Sequence, residues 1–237
     1  MMEPGFYNMD CMEGMKQFPD KFFDLAIVDP PYGINVANHK GGKIYQDSKS
    51  KKWRKSYCCE YHVFDDSVIP ESNYFELLFR VSKKSIIWGG NYFLDYLGKT
   101  SCLIIWDKGR RGMDQADCEI AWTNLEDNNR IISYLWNGFQ QQDIKNKEKR
   151  IHPTQKPIAI YAWLIKKFAK PGMKILDTHV GSASSLIACH RAGLDFWGFE
   201  IDPVYYKMAK ERLQMEQAQV NMFDVMKEIK TEQVSLI

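Results

Sequence analysis

Short apolar runs alternate with longer stretches of helical periodicity along most of the chain. Apolar residues cluster as in buried strands at 5–9, 22–28, 85–88, 102–106, 118–123, 131–136, 173–177 and 196–201. Helical spacing separates many of these runs, over roughly 72–81, 158–169, 186–192 and 203–217. Strands that alternate with helices predict an α/β fold around a mostly parallel, doubly wound sheet.

The tetrapeptide Asp29-Pro30-Pro31-Tyr32 directly follows the strand predicted at 22–28. Proline fixes φ and restricts the residue before it, so the Asp29 carboxylate and a carbonyl in the Pro30-Pro31 stretch are preorganised acceptors. Together they suit the two hydrogens of an amine on a planar base, on which Tyr32 would stack. An ordinary turn after a strand explains the tetrapeptide equally well until a second site is found.

A second candidate site lies in the C-terminal third. The strand ending in Asp177 leads into the segment Thr178–Ser185, which contains Gly181, and then into an apolar helix. A glycine turn between strand and helix directs backbone amides at a ligand. Glu200 ends the next strand about twenty residues later, the spacing at which an acid meets ribose hydroxyls. Neither Gly-x-Gly-x-x-Gly nor a Walker lysine motif is present, so a nucleoside without phosphates is favoured.

These residues carry a family resemblance that covers most of the chain. It resembles the β-group of DNA amino-methyltransferases in Asp29–Tyr32, His152–Pro157, Asp177–Ser185 and Phe199–Pro203, with the catalytic motif first and the cofactor loop last. The resemblance implies a Rossmann-like methyltransferase fold with circularly permuted motifs. It also implies methyl transfer from S-adenosylmethionine to adenine N6 or cytosine N4 of a base flipped out of DNA, as in restriction–modification.

The resemblance also assigns roles to individual residues. Asp29, Pro30, Pro31 and Tyr32 would be catalytic. Cofactor-binding residues would be Asp10, Cys11, His152, Thr154, Gln155, Lys156, Asp177, Gly181, Ser182, Glu200, Ile201 and Asp202. Among them, Asp10 would bind the cofactor's adenine amine, Glu200 its ribose, and Asp177 with Gly181 and Ser182 its methionine part.

Two details qualify these assignments. Ala183 stands where the family loop usually has a second glycine, and Thr178-His179 replaces its common Pro-Phe. Phe199 and Tyr205 would either flank the cofactor's adenine or pack in the core.

Asp29 favours adenine as the target, because similar cytosine enzymes more often have serine there. We therefore predict a site-specific adenine-N6 DNA methyltransferase. The alternatives are a cytosine-N4 enzyme, a catalytically silent DNA-binding module of the same fold, and an enzyme that methylates RNA or protein.

Basic residues concentrate beside the catalytic motif, although the net charge is only +2. A mobile loop over about 36–62 would contact DNA phosphates. Target-recognition segments are predicted at about 107–117 and 137–151, where Gln140, Gln141 and Gln142 could read base edges. The predicted DNA-binding residues are Lys40, Lys43, Lys51, Lys52, Arg54, Arg110 and Arg111.

Length and composition agree with one catalytic domain over residues 1–237, with a substantial core. Six scattered cysteines indicate reduced thiols, and the adjacent Cys58-Cys59, near His39 and His62, do not fit a zinc site, so no metal is expected. No apolar stretch is long enough to span a bilayer, and a cytoplasmic protein is expected. Similar enzymes are often dimers, so a homodimer is one expectation.

Overall fold

The computed structural model of the protein describes residues 2–34, 44–46, 53–55, 62, 67–109, 111, 116–137 and 140–235. For residues 44–46, 53–55, 137 and 220–235 the description covers the backbone alone. Most of the predicted basic loop at 36–62 therefore lies outside the described residues. Its predicted mobility and phosphate contacts stay predictions.

The strands are β1 (Gly5–Asn8), β2 (Phe23–Val28), β3 (Ile44–Gln46), β4 (Trp53–Lys55), β5 (Ser82–Trp88), β6 (Leu103–Asp107), β7 (Cys118–Thr123), β8 (Arg130–Ser133), β9 (Trp136–Asn137), β10 (Gln140–Gln141), β11 (Lys174–Asp177) and β12 (Asp195–Glu200). The α-helices are α1 (Cys11–Lys16), α2 (Ser72–Val81), α3 (Ile158–Phe168), α4 (Ser184–Arg191) and α5 (Pro203–Ser235). A short 3₁₀ helix covers Gly90–Tyr92.

One sheet of eight strands organises the described part of the chain, in the order β1-β12-β11-β2-β5-β7-β6-β8. The five strands from β1 to β5 in this order are parallel, whereas β7 runs antiparallel to both of its neighbours. The pairs β3–β4 and β9–β10 form two small separate ribbons. The prediction of a mostly parallel α/β sheet is confirmed.

Helices cover both faces of this sheet because its central strands are apolar on both sides. Alternate residues of β2 belong to different cores: Leu25 and Ile27 pack with α3, α4 and α5, whereas Ala26 and Val28 pack with α1 and α2. The four consecutive apolar residues Leu25–Val28 therefore reflect burial on two sides. A doubly wound arrangement follows, with its ligand edge at the carboxyl ends of the parallel strands.

Several elements differ from the sequence prediction. Helix α1 was not predicted, since six residues are too few to show a helical period. The strand predicted at 131–136 is divided, because β8 ends at Ser133 and β9 pairs separately with β10. Helix α5 continues to Ser235 instead of about 217, and no glycine or proline interrupts residues 218–235.

Candidate active site

The two predicted motifs meet at one edge of the sheet. Strands β2 and β11 are parallel neighbours, with Ala26 opposite Leu176, so Asp29 and Asp177 follow adjacent strand ends. Although about 150 residues separate them along the chain, the two acids are close enough that the negative charge of Asp29 adds to the effect of burial in raising the pKa of Asp177.

Both carboxylate oxygens of Asp29 accept a hydrogen bond from a side chain. The Tyr32 hydroxyl donates to Oδ1, and the Lys156 ammonium donates to Oδ2. Lys156 Nζ also donates to the Tyr32 hydroxyl at 3.1 Å, and its side chain is only 3% exposed. The resemblance placed Lys156 among the cofactor-binding residues, but the structure directs its charge to the catalytic tetrapeptide.

Glu119 of β7 extends this network. Its Oε2 lies 3.1 Å from Lys156 Nζ, an ion-pair distance without hydrogen-bond geometry, and its Oε1 lies 2.7 Å from Lys108 Nζ. Burial opposes ionisation of Glu119, but the two ammonium groups outweigh it and lower its pKa. Asp29, Lys156, Glu119 and Lys108 therefore form a chain of alternating charges that sums to zero.

Burial and charge act in opposite directions on the central pair. Burial raises the pKa of Asp29, and the Lys156 ammonium on Oδ2 opposes that rise. Burial would lower the pKa of Lys156, but the carboxylates of Asp29 and Glu119 more than compensate, and its pKa is raised. Lys156 is therefore charged at neutral pH, and it favours the carboxylate form of Asp29.

The Tyr32 ring is packed against its neighbours in this conformation. It stacks on Tyr92 with a centroid separation of 5.0 Å and an interplanar angle of 15°. Gly89 has φ +69° and lies so close that an added Cβ would fall 2.2 Å from the ring. One face of Tyr32 is thus covered by Tyr92, and its predicted stacking on a target base stays a prediction.

The segment after β11 holds Asp177 through groups close in sequence. The Ser185 hydroxyl donates to Oδ2, and the His179 backbone N–H donates to Oδ1 at 3.0 Å. Burial nevertheless raises the pKa of Asp177 to about 7. Ala183, immediately before α4, has φ +62°, in the left-handed region that favours glycine. The family's second glycine therefore has a conformational reason, which this chain meets with a strained alanine.

Glu200 lies at the end of β12 and is held by backbone amides. Its Oε2 accepts from Gly181 N–H at 2.8 Å and its Oε1 from Asp202 N–H at 3.0 Å. Ile201 next to it is 66% exposed. Asp202 caps α5 by accepting from Val204 N–H, while its other oxygen lies 3.0 Å from His62 Nε2.

The end of β1 adds a third acid to this edge. Strand β1 pairs in parallel with β12, with Asn8 opposite Glu200. Asp10 caps α1 by accepting from Met12 N–H at 2.7 Å. Cys11 Sγ lies 4.0 Å from His179 Nε2, so the β11 loop reaches α1. Burial raises the pKa of Cys11 to about 12 and lowers that of His179 to about 4, which leaves both neutral at pH 7.

The segment before α3 has a different role for each residue. The His152 ring packs on Tyr205 at 4.3 Å and its Nδ1 lies 2.9 Å from Thr154 Oγ1; burial lowers its pKa to about 3. Gln155 is buried and stabilises the segment itself, since its side chain accepts from Ile151 N–H and donates to a backbone carbonyl. Gln155 therefore stabilises this segment, and its cofactor role stays a prediction.

Phe199 belongs to the core. Its ring is fully buried, and a Cβ on Gly14 would fall 2.6 Å from it, so α1 rests directly on this ring. Of the two roles left open for Phe199, the structure shows core packing.

The predicted DNA contacts lie mostly beyond the described residues. Lys40, Lys43, Lys51, Lys52, Arg110 and the side chain of Arg54 are outside them. Arg111 is 77% exposed and pairs with Asp107 at 3.2 Å. The suggestion that Gln141 reads base edges was wrong: it is buried, and its amide exchanges two 2.8 Å hydrogen bonds with the backbone of Glu148.

The site also contains residues that the sequence did not reveal. Glu119 and Lys108 complete the charge chain, and Tyr92 covers Tyr32. One signal was available for Glu119, because it is a charged residue inside the predicted buried strand 118–123, where an unpaired acid is rarely tolerated. The sequence could not show that Lys156 is the partner of Glu119, since the two residues lie in different parts of the chain.

The acids at the cofactor edge fit a nucleoside linked to an amino acid. Glu200 offers a carboxylate at the strand end, the exposed Ile201 offers an apolar surface beside it, and Asp177 offers a second carboxylate. Within the described residues, no cluster of three or more His, Cys, Asp or Glu side chains could hold a metal ion. His39, Cys58 and Cys59 lie outside those residues. None of the described helices is both long enough and apolar enough to cross a membrane.

Comparison with solved structures identifies the fold as that of the Rossmann-like methyltransferases. Among solved structures, the cytosine-N4-specific PvuII DNA methyltransferase superposes with a TM-score of 0.55 at 13% identity and covers 93% of each chain. M1.HpyAVI in complex with SAM superposes with a TM-score of 0.52 at 18% identity, covering 87% of this chain and 98% of that one. These likenesses establish the fold.

Sequence comparison identifies the family. The Type II methyltransferase M.HpaI of Haemophilus parainfluenzae is 36% identical over 230 residues, covering 87% of this chain and 73% of M.HpaI. The putative methylase YubD of Escherichia coli (strain K12) is 26% identical over 223 residues, covering 88% of this chain and 89% of YubD. A family profile described as DNA methylase matches residues 98–211. The chain belongs to this family, the β-group of N6/N4 amino-methyltransferases, which use S-adenosylmethionine as methyl donor.

Proposed function

We propose that this protein is a site-specific DNA methyltransferase that modifies the exocyclic N6 of adenine. The observation that carries the proposal is the position of Asp29. Its carboxylate lies at the end of β2, beside the strand whose loop is predicted to hold the cofactor. The choice of adenine over cytosine rests on Asp29 itself, because cytosine enzymes of this family more often have serine at that position.

The catalytic tetrapeptide would act by gripping the target amine. Asp29 accepts one hydrogen of the amine and the Pro30 carbonyl the other, which concentrates electron density on the nitrogen as positive charge develops there. When bound, S-adenosylmethionine supplies an electrophilic methyl group, so no protein nucleophile is needed. The proton released by the amine is taken up by Asp29 and passed to solvent.

The contacts around Asp29 are compatible with this role. Its Oδ1 already accepts from Tyr32 and its Oδ2 from Lys156. An ionised carboxylate has about four acceptor positions, so Oδ1 can accept the amine beside the tyrosine hydroxyl or in its place. The base must leave the duplex to reach this buried carboxylate.

On the cofactor side, Glu200 and Asp177 would hold the ribose and the methionine ammonium, and Asp10 the adenine amine. Gly181 and Ser182 would contribute the loop that surrounds the methionine part, with Cys11, His152, Thr154, Ile201 and Asp202 lining the same pocket. Arg212 supports that loop by donating to the Ser182 carbonyl at 2.7 Å while pairing with Glu148 at 2.6 Å. The cofactor loop is thereby tied to the predicted recognition segment at 137–151.

Partner and location are parts of the same proposal. The basic residues of the predicted loop at 36–62, together with Arg110 and Arg111, would contact the DNA backbone, and the protein would work in the cytoplasm, where bacterial DNA lies. A homodimer is proposed because similar enzymes are often dimers.

Expression in a host without DNA methylation tests the function directly. DNA from that host would be digested to nucleosides and analysed by mass spectrometry, while sequencing that detects modified bases reports the site. We expect N6-methyladenine at one short sequence. N4-methylcytosine would overturn the choice of base, and unmodified DNA beside methylated RNA would overturn the choice of nucleic acid. Cofactor binding without any methylated product would indicate a silent DNA-binding module.

A further inference from the structure

Lys156 is a buried charged side chain that contacts the catalytic tetrapeptide. Its ammonium lies within ion-pair distance of both Asp29 Oδ2 and Glu119 Oε2. It also lies 5.3 Å from the centroid of the Trp88 ring and 5.6 Å from that of Tyr32. Aromatic faces stabilise a buried cation. The site is therefore built to hold a positive charge at Asp29.

Three separate elements converge to fix this ammonium. Asp29 follows β2, Glu119 belongs to β7, and Lys156 precedes α3. Glu119 is itself held by Lys108, whose Nζ lies 2.7 Å from Oε1. An ion pair buried to this degree costs desolvation energy and is weak evidence for a gain in stability. Its location on the reacting carboxylate instead favours a role in the reaction.

We propose that Lys156, anchored by Glu119, is a positioning residue for methyl transfer. It occupies Oδ2 of Asp29, so that the carboxylate stays ionised and turns Oδ1 toward the target amine. This role is separate from cofactor binding and does not depend on whether the base is adenine or cytosine. It rests on the proposed role of Asp29 as the acceptor of the amine.

The electrostatic surroundings of Asp29 determine what its pH dependence should be. Besides Lys156, the groups that interact electrostatically with it are Tyr32 of its own turn, Tyr74 of α2, Glu119 of β7, Tyr161 of α3 and Asp177 of β11. Lys156 is the positively charged group in this set, and the others are acids or phenols. Loss of Lys156 leaves the carboxylate buried among acids and neutral phenols, so the pKa of Asp29 rises.

The test compares Lys156→Met, Lys156→Arg and Glu119→Gln with the wild-type enzyme on unmethylated plasmid DNA. Lys83→Met is the matched control. Lys83 also pairs with an aspartate of this strand, Asp24, at 2.7 Å, but Asp24 lies near the start of β2, at the end opposite Asp29. For each variant, kcat and KM are measured from pH 5.5 to 9.5. Calorimetric binding of S-adenosylmethionine and the thermal midpoint report on the cofactor site and the fold.

We expect Lys156→Met to bind the cofactor as the wild type does but to lose about tenfold or more in kcat at pH 7. The acid limb of its pH profile should also move upward by about one unit. The part of the loss that comes from protonation of Asp29, at most about tenfold, should therefore shrink toward pH 9, while the part that comes from lost positioning remains. Lys156→Arg should restore part of the rate, because it keeps the charge. Glu119→Gln should lower kcat a few-fold without raising the acid limb, since it removes a negative charge near Asp29.

A wild-type pH profile in Lys156→Met would overturn the proposal, and so would loss of cofactor binding in a folded variant, which would instead support the cofactor role. If Lys156→Met does not fold, Glu119→Gln decides, because an unchanged kcat in that variant also contradicts the proposal. Failure of the proposed function is seen separately, as a wild-type protein that methylates no DNA.

Discussion

The two halves of the candidate active site hold their acids in different ways. In the half that is predicted to bind the cofactor, Asp10, Asp177 and Glu200 each accept a hydrogen bond from a backbone amide two residues away. In the other half, within the described part of the chain, Asp29 accepts from side chains alone: Tyr32 of its own turn and Lys156, 127 residues away. A backbone-held acid depends on local geometry, whereas the side-chain pair depends on packing of the whole domain.

This difference predicts how each half responds to mutation. A carboxylate that accepts backbone N–H groups supports its loop as well as its ligand. A carboxylate held by a lysine can lose its function while the backbone around it stays in place.

Asp29→Ala should reduce methyl transfer by roughly a thousandfold or more, since it removes the acceptor of the amine where charge develops. Cofactor affinity should stay within about threefold of the wild type, because the cofactor edge is built from other strands. Transfer of a labelled methyl group to DNA and calorimetry measure the two quantities. Asp24→Ala, at the other end of the same strand, is the control, and retained turnover in Asp29→Ala would remove Asp29 from the mechanism.

Glu200→Gln should affect cofactor binding and not the acceptor of the target amine. Loss of a charged acceptor for the ribose should weaken cofactor binding by about ten- to a hundredfold, the equivalent of about 1.5–3 kcal/mol. Because Gly181 N–H loses a charged partner as well, the thermal midpoint should fall slightly. Glu211→Gln, on the exposed side of α5, provides a comparison. A cofactor affinity equal to that of the wild type would contradict the ribose role.

Asp177→Asn separates stability from binding. Because burial raises the pKa of Asp177 to about 7, the wild-type fold loses stability as pH rises from about 4, the pKa in an unfolded chain, to about 7. The asparagine variant lacks this loss. Its thermal midpoint should therefore gain on the wild type between pH 4.5 and 7.5, by the equivalent of roughly 1–3 kcal/mol, while its cofactor affinity falls.

Thermal melts of Asp177→Asn at several pH values check this sign, with the exposed Asp195→Asn as control. If the difference in thermal midpoint between Asp177→Asn and the wild type stays constant across this pH range, Asp177 does not titrate there.

Ala183→Gly should have the smallest effect. Relief of a left-handed alanine gains about 1–2 kcal/mol, whereas loss of the buried methyl group costs about 0.8 kcal/mol and the more flexible unfolded chain costs about 0.4–1 kcal/mol, so the net change in stability should be close to zero. Chemical denaturation measures it. Ala192→Gly, at the C-cap of α4 with φ −90°, relieves no such strain and should not stabilise the protein. A destabilised Ala183→Gly would mean that the methyl group matters more than the backbone strain.

The sequence predicted those parts of the fold whose signals are local. The apolar run at 22–28 correctly predicted the buried strand β2, and the helical spacing over 72–81 gave the bounds of α2. Helix α1 was not predicted because a helix of six residues is too short to show a helical repeat of apolar positions. Gln141 was predicted to read base edges because nothing in the neighbouring sequence shows that its amide is hydrogen-bonded to the backbone of Glu148.

The sequence by itself determined the two motifs, their order and the groups that each offers: a rigid Asp-Pro-Pro-Tyr turn, a glycine loop with its acids, and through them the family. Only the tertiary structure decided that Lys156 belongs to Asp29 and that Glu119 anchors it. The physical reason is the range of the interactions. Backbone hydrogen bonds and caps are set by neighbouring residues, whereas a buried ion pair exists only where packed strands and helices bring distant charges together.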